Sequence, residues 1–405
     1  MGPDVGHRCV LSLGRVVPRT YGVAAGHAPG TVRAIVTDMA DAQVECPTPD
    51  GGTRAVRISS PDRVLWPQDG ITKLDLAHYI RDVGPAILPR VGGRPMTLQR
   101  FPTGIEGEEF YSKNPPKGLP AHVRTVLMTY PSGRKHPQLV VDEIATAVWG
   151  VQMNTVTFHP WPVRATDAEG ALDRPDEVRI DLDPQPGCGF REAVEAAYVL
   201  REVLAEAGLT GFPKTSGNRG VHVFCPIEPA REFLDVRHGV IAIARELERR
   251  MPEEVTTAWW KEERGQRIFV DYNQACRDRT IAAAYSPRPL PGAPVSMPVS
   301  WESLRDIAPG DFTVRTVPDL VGAQPDPWAA YDDAVGDLGV AMLWWERDVA
   351  EGLPEMAFPP DYPKMPGEPP RVQPSKKRYE DEDYVPGGTG YLRECRTPND
   401  PLAQT

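Results

Sequence analysis

Val178-Arg179-Ile180-Asp181-Leu182-Asp183-Pro184 alternates apolar and charged side chains with the two-residue period of a strand. Val178, Ile180 and Leu182 then share one face, and Asp181 and Asp183 the other. At about 3.3 Å per residue the two aspartate Cα atoms lie roughly 7 Å apart, which lets their carboxylates converge on a hard cation such as Mg2+ or Mn2+. Pro184 lacks the N–H needed to continue a central strand, and Pro184-Gln185-Pro186-Gly187-Cys188-Gly189 opens a turn. The pair therefore sits near a strand's exit. Alone, Asp-x-Asp also suits a solvated edge strand, the commoner use of so short a pattern, so the surrounding sequence has to decide.

Downstream, residues 190–207 combine good helix formers with apolar positions at Val194, Ala197, Leu200, Leu204 and Ala207, and Gly208 supplies the stop. A Gly-rich turn, Ser216-Gly217-Asn218-Arg219-Gly220, feeds the alternating strand Val221-His222-Val223-Phe224. Residues 236–250 read as a helix, and Arg267-Ile268-Phe269-Val270-Asp271 as a strand ending on a third carboxylate. Strands separated by helices predict an α/β (α+β) core. Upstream, Thr72 is an N-cap for a helix through Leu76, Tyr79 and Ile80. Residues 94–101 alternate as a strand; 123–129 and 138–141 flank a basic tip, Arg134-Lys135, as a hairpin; 143–153 read as a helix.

Residues 1–56 are Gly- and Pro-rich without a sustained period and are expected to form a disordered leader, with Met39 a candidate for the natural start. Residues 321–405 turn Pro-rich and acidic, and are expected to be an extended tail with one short amphipathic stretch at 340–349. The catalytic unit is thereby placed at residues 57–320. The 405 residues are 40% hydrophobic and 25% charged, enough for two or three core-bearing units. Six dispersed cysteines form no Cys-x-x-Cys and no Cys/His cluster, which argues against a structural zinc or a disulfide framework and for a cytoplasmic setting. No apolar run reaches the ~20 residues of a membrane helix, and no export signal is present, so a membrane is not among the expected partners. The net charge of −11 understates the potential for binding phosphate, because acid gathers near the C-terminus in stretches such as Glu380-Asp381-Glu382-Asp383.

Asp271 ends its strand as Asp183 ends its own, so three carboxylates can converge on paired metal ions that would promote an in-line phosphoryl displacement. Between them in sequence, Ser216 to His222 offers backbone N–H groups, a hydroxyl and an imidazole, the donors a triphosphate requires. Arg279 and Arg288 follow and can neutralise phosphate charge.

Over roughly residues 57–310 the chain resembles the polymerase domain of the bacterial ligase-D end-joining enzymes, in the archaeo-eukaryotic primase superfamily. The likeness rests on Asp62-Arg63-Val64-Leu65-Trp66-Pro67 with Thr72-Lys73, Arg100-Phe101-Pro102, Phe110-Tyr111-Ser112-Lys113-Asn114, His159-Pro160-Trp161-Pro162, Asp181-Leu182-Asp183-Pro184, Thr215 to His222, Val270-Asp271-Tyr272, and Thr280 to Arg288. It implies an RRM-like catalytic sheet packed on an N-terminal α/β module, and a metal-dependent nucleotidyltransferase using NTP or dNTP, with ribonucleotides preferred. By the same resemblance Asp181, Asp183 and Asp271 bind two Mn2+ or Mg2+ ions. Ser216, His222, Arg288, His159 and Arg279 serve the nucleotide. Arg63 and Lys73 grip a DNA 5′-phosphate at a gap or break, and Phe110 and Tyr111 stack on template bases. Arg134-Lys135 falls in the loop that handles template or partner ends. The implied setting is DNA repair at the nucleoid, with end-joining or repair proteins as further partners.

Arg63 and Arg279 stand where the family pattern has lysines, and Gln99 where many members carry a basic residue. A planar guanidinium fork is not equivalent to an ammonium. No Lys-x-Asp-Gly ligase signature and no His/Asp-rich phosphoesterase segment occurs, so the sequence reads as a stand-alone polymerase. Two other readings compete. A glycosyltransferase would use Asp181 and Asp183 on a nucleotide-sugar but leaves Ser216, His222 and Asp271 unexplained; a non-catalytic DNA-end-binding module would use Arg63, Lys73 and the aromatics alone.

Overall fold

The computed structural model describes residues 41–116, 118–130 and 133–356, together with two short strands at Tyr384–Val385 and Gly390–Tyr391. The fold begins with a hairpin, β1 (Ala42–Pro47) and β2 (Thr53–Ile58), whose inward residues Val44, Cys46, Val56 and Ile58 are buried. This corrects the expectation that residues up to 56 are an unstructured leader. The alternation is there, but each strand is only six residues long and the Gly51-Gly52 turn between them reads as linker. Residues 1–40, including the candidate start Met39, lie outside the described residues.

A second hairpin, β3 (Val64–Trp66) and β4 (Ile71–Thr72), leads straight into α1 (Lys73–Asp82). Thr72 caps this helix: its Oγ1 accepts from the Asp75 N–H at 3.1 Å, and the Asp75 carboxylate accepts from the Thr72 N–H at 2.8 Å. After α2 (Gly84–Val91) come β5 (Pro95–Arg100), β6 (Phe110–Ser112), the hairpin β7 (Arg124–Thr129) and β8 (Lys135–Val140), α3 (Ile144–Gln152) and β9 (Thr155–Pro160). In the sheet these strands form, β5 pairs with β6 and β8 along one edge and with β9 along the other.

The second sheet has the order β11-β12-β10-β14-β13, built from β10 (Glu177–Pro184), β11 (Phe212–Thr215), β12 (Val221–Pro226), β13 (Val255–Thr256) and β14 (Ile268–Asp271). All pairs are antiparallel except β13 with β14. On β10, Val178, Ile180 and Leu182 are fully buried on the face covered by α4 (Phe190–Glu206) and α5 (Phe233–Arg250). The helices answer with Val194, Ala197, Leu200 and Leu204, and with Val236, Val240, Ile243 and Leu247, at helical spacing. Gly208, at φ 75°, terminates α4 in the left-handed conformation that a glycine adopts without strain. The opposite face of β10 is left to the charged residues.

Two features join the sheets. The segment 280–288 runs against β9: the Ala283 N–H donates to the Phe158 carbonyl at 2.9 Å, the Ser286 hydroxyl accepts from the Phe158 N–H at 2.9 Å, and the Thr157 hydroxyl donates to the Pro287 carbonyl at 2.7 Å. It then forms a small hairpin, β15 (Ser286–Pro287) with β16 (Val295–Ser296). The other junction is a buried ionic node. Arg94 donates to Asp176 and Glu177, Arg179 donates to Glu177 and to the Pro160 and Trp161 carbonyls, and the Tyr331 hydroxyl donates to Glu177 at 2.8 Å.

Residues 321–356 also correct an expectation, because they are folded onto the domain rather than extended. α6 (Val317–Ala323) and α7 (Gly339–Ala350) flank a stretch anchored by Trp328, Tyr331 and Leu338, exposed by 1%, 3% and 2%. The amphipathic signal at 340–349 is α7, packed on α5. Most of residues 357–405 lie outside the described residues. Among those described, no helix is long and apolar enough to cross a membrane.

Candidate active site

Sheet register sets four polar side chains in one row across the charged face. Lys214 on β11 lies opposite His222 on β12, His222 opposite Asp181 on β10, and Asp181 opposite Asp271 on β14. Directly opposed residues share a face, and Asp183 joins the same face two residues along β10. The Ser216 turn closes the β11–β12 end. Its hydroxyl accepts from the Asn218 and Gly220 N–H groups at 3.1 and 3.0 Å. Gly217, at φ 70°, passes so close to Arg288 that a Cβ would stand 2.5 Å from its Cγ, and a Cβ on Gly220 would meet the Leu182 carbonyl at 2.6 Å. The two glycines let the turn press against β10 and Arg288 together.

The charges in this row are not balanced. Burial, reinforced by the Asp271 and Asp183 carboxylates, pushes the Asp181 carboxyl up to about 8. Asp271 is also raised by burial, although Oδ1 accepts from the Asn273 N–H at 3.0 Å and Oδ2 from the Gln274 amide at 2.9 Å. Asp183 accepts from the Gln185 amide at 3.2 Å. His222 Nε2 stands 3.5 Å from Asp181 Oδ1, and its Nδ1 is 2.8 Å from Lys214 Nζ. Burial and the neighbouring cations hold both Lys214 and His222 well below their ordinary values. Arg288 donates to the Ser216 carbonyl at 3.0 Å, while its Nε is buried without a hydrogen-bond partner.

Several other predicted residues arrive at the same place. His159, on β9, lies 3.4 Å from Gln99 Oε1 and is pushed down to about 3 by burial and by Arg288. The Tyr111 ring meets it edge-on at 5.4 Å. Tyr111 and Phe110, on the edge strand β6, are 51% and 38% exposed, and Arg100 lies over the Phe110 ring at 4.9 Å. Arg279 is half-buried and close enough to offset part of the rise that burial imposes on the Asp271 carboxyl. Arg63 and Lys73 form a separate group on the β3–β4 hairpin and the first turn of α1, joined by the Lys73 N–H donating to the Arg63 carbonyl at 2.8 Å. Arg63 is exposed, whereas Lys73 is 2% exposed, donates to the Ser59 carbonyl at 3.0 Å, and is lowered to about 8 by burial. Arg134 and Lys135 lie at the β7–β8 end, Lys135 already paired in the strand with Thr129.

Among the described residues no three His, Cys, Asp or Glu side chains are gathered in a geometry that holds a metal ion as they stand. The donor set nevertheless suits a hard cation. It is all carboxylate oxygen, carried on the paired strands β10 and β14, where Asp181 is opposite Asp271 and Asp183 lies two residues along. Lys214 is the residue that sequence reasoning missed. It sits between a proline and a threonine with no motif to mark it, and only its register against His222 gives it away.

The family model described as the LigD primase-polymerase domain matches residues 72–328. The multifunctional non-homologous end joining protein LigD of Pseudomonas aeruginosa is 34% identical over 295 residues, 72% of this chain and 34% of the relative. The bifunctional non-homologous end joining protein LigD of Bacillus subtilis is 30% identical over 67% of this chain and 43% of the relative. The chain thus spans between a third and a half of the length of these relatives. Among solved structures, the polymerase domain from Mycobacterium tuberculosis ligase D in complex with DNA superposes with a TM-score of 0.63 at 28% identity, over 69% of this chain and 98% of that one.

Proposed function

Because the chain belongs to the LigD primase-polymerase domain family, we propose that it is a metal-dependent nucleotidyltransferase that adds nucleotides, ribonucleotides in preference, to a 3′-hydroxyl at gaps or ends of DNA in end-joining repair. The observation that carries this reading is the row Lys214–His222–Asp181–Asp271, with acid at one end and base at the other. Asp181, Asp183 and Asp271 would hold Mn2+ or Mg2+, which supplies a lowered pKa for the attacking hydroxyl and charge neutralisation at the departing pyrophosphate.

The chain's own groups do the rest. The orphaned Arg288 Nε and the His222 imidazole would serve a triphosphate as donors, with the Ser216 turn, braced by its own hydrogen bonds, beside them. With Lys214 Nζ 2.8 Å from His222 Nδ1, a charged Lys214 would donate there and leave the proton of a neutral His222 ring on Nε2, the side facing Asp181. The exposed rings of Phe110 and Tyr111 suit stacking against unpaired template bases. Arg63, exposed beside the start of α1, suits a 5′-phosphate, with the buried Lys73 adding positive potential behind it. The setting this implies is the nucleoid, with end-joining proteins as partners.

Primer extension on a gapped duplex bearing a 5′-phosphate, with Mn2+ and with NTP or dNTP, tests the reading. Extension should fall about 10³-fold in Asp271→Ala and favour NTP over dNTP. Gap binding by a folded protein that incorporates nothing would leave the end-binding module as the better account.

A further inference from the structure

The segment that follows the family match, residues 338–356, is tied to the catalytic sheet by a continuous set of hydrogen bonds. α7 is locked onto α5 by Asp348, a fully buried carboxylate facing Arg245 at 3.5 Å, with Arg249 and Arg347 as further partners. Past the helix the chain turns back, and the Pro354 carbonyl accepts from Arg245. Glu355 then receives Arg237 Nη1 on Oε1 at 2.6 Å and His238 Nε2 on Oε2 at 2.7 Å, the His238 ring being stacked on Trp345 at 4.1 Å. The Met356 carbonyl takes Arg237 Nη2 at 2.8 Å.

Arg237 is 4% exposed, and the third arm of its guanidinium points inward: Nε donates to Asn273 Oδ1 at 3.2 Å. Asn273 sits in the single turn after β14, and its backbone N–H donates to Asp271 Oδ1 at 3.0 Å. A guanidinium held on three sides is rigid, and a carboxylate whose acceptor lone pairs are fixed by such partners keeps one orientation.

We propose that residues 338–356 are a positioning element of the active site, in which Glu355 and the Met356 carbonyl hold Arg237, Arg237 holds Asn273, and Asn273 aims the Asp271 carboxylate. This rests on the reading of Asp271 as a catalytic carboxylate. Arg237 and Glu355 touch no reacting atom, so they act through Asn273. Arg245, Arg249 and Asp348 belong to the latch that keeps the segment docked.

The test uses the full chain carrying Glu355→Ala, Glu355→Gln or Arg237→Lys. Three quantities are compared: hydrogen exchange at the Asn273 amide without nucleotide or metal, Mn2+ binding followed by electron paramagnetic resonance, and kcat and KM for nucleotide on a gapped duplex. Glu355→Ala should speed exchange at Asn273 severalfold, weaken Mn2+ binding and lower kcat by roughly tenfold, with KM for the nucleotide little changed. Glu355→Gln, which keeps an acceptor for Arg237, should recover part of the loss. Arg237→Lys should reproduce the Glu355→Ala effect, and the two together should be far from additive. Asn273 exchange, Mn2+ affinity and kcat all unchanged in Glu355→Ala, or a lowered melting temperature with those three unmoved, would overturn the proposal. Exchange at Asn273 is read without catalysis, so a wild type that fails to extend a primer would defeat the polymerase reading and leave this coupling still measurable.

Discussion

The charged face of β10 carries two clusters of ions, one around the buried Glu177 and one around the half-buried Asp181, with opposite electrostatics. At the entry of the strand, Glu177 is enclosed by Arg94, Arg179 and the Tyr331 hydroxyl, and despite burial its carboxyl is drawn down to about 2 by the two arginines. At the exit, Asp181 faces two further carboxylates, and burial drives it up to about 8. Both are acids on one face of one strand. The difference is whether each charge has been matched. A matched node holds the two sheets together; at the other, Lys214 and Arg288 offset the carboxylate charge only in part, which under the proposed function is where a bound cation would act.

The sharpest way to break this contrast is Asp181→Asn. Extension should fall about 10³-fold, while in chelator at pH above about 8 the variant should be more stable than wild type, because the buried carboxylate that wild type must then ionise is gone. The sign follows from the raised pKa. The proton that folded Asp181 retains contributes stability fully present below the unfolded value of 3.8, and that contribution is lost as pH rises through about 8. Chelated wild type should therefore weaken as pH rises from about 4 to about 8 in urea titrations, and Asp181→Asn, whose side chain does not titrate, should make that slope shallower. Equal stability at every pH would mean that the exit cluster is not strained.

Glu177→Gln probes the other cluster and should invert the pattern. Removing one partner from a buried ion set costs about 3–5 kcal/mol, seen as a lower urea midpoint, and extension by the protein that remains folded should change far less. Here the folded pKa is depressed, so the stability is present above the unfolded value of 4.5 and disappears as pH falls toward about 2. Wild type should show that acid-side loss and the variant should not.

This contrast also explains what could be read before any fold was known. The strand at 177–184, the helix at 190–206 and the cap at Thr72 were legible because each is written in local periodicity or in one residue at a fixed offset. That Asp181 and Asp183 share one strand face was legible from the two-residue alternation, but Asp-x-Asp is too common to mark a site by itself; it was the order of Ser216 to His222 and Asp271 after it that set it apart, and the pairing of Asp181 with Asp271 is visible only in the sheet register. The hairpin at 42–58 was misread because its buried apolar residues number two per strand. Residues 321–356 were misread because proline density hid the anchors Trp328 and Tyr331, whose partners, Arg90 and Phe212, are far away in sequence. Glu177 and Lys214 look alike in sequence, each a charge inside a strand pattern, and only sheet register and burial show that the first is matched and the second is not.

Lys214 is therefore where the comparison can be sharpened most finely. Its ammonium is buried, donates to Ser296 and to His222, and meets no carboxylate directly within those contacts. The Ser296 hydroxyl gives its own proton to the Thr215 carbonyl at 2.8 Å, so toward Lys214 it can only accept. That makes Lys214 the donor toward Ser296, and a charged Lys214, which has no lone pair, would also donate to His222 Nδ1 and put the ring proton on Nε2. Lys214→Met keeps the length and removes both donors. If Lys214 belongs with the unmatched exit cluster, extension should drop by roughly 10- to 100-fold, as for other groups that orient a site from one layer out, while the urea midpoint stays level or rises because a buried charge has been replaced by an apolar chain. If it belongs with the matched node at Glu177, the midpoint should fall and the rate per folded molecule should hold. Nitrogen-15 shifts of His222 separate the two directly: loss of the Lys214 donor frees Nδ1 to take the proton, and an unchanged tautomer would mean that the neighbouring carboxylate, and not Lys214, sets the orientation of the ring.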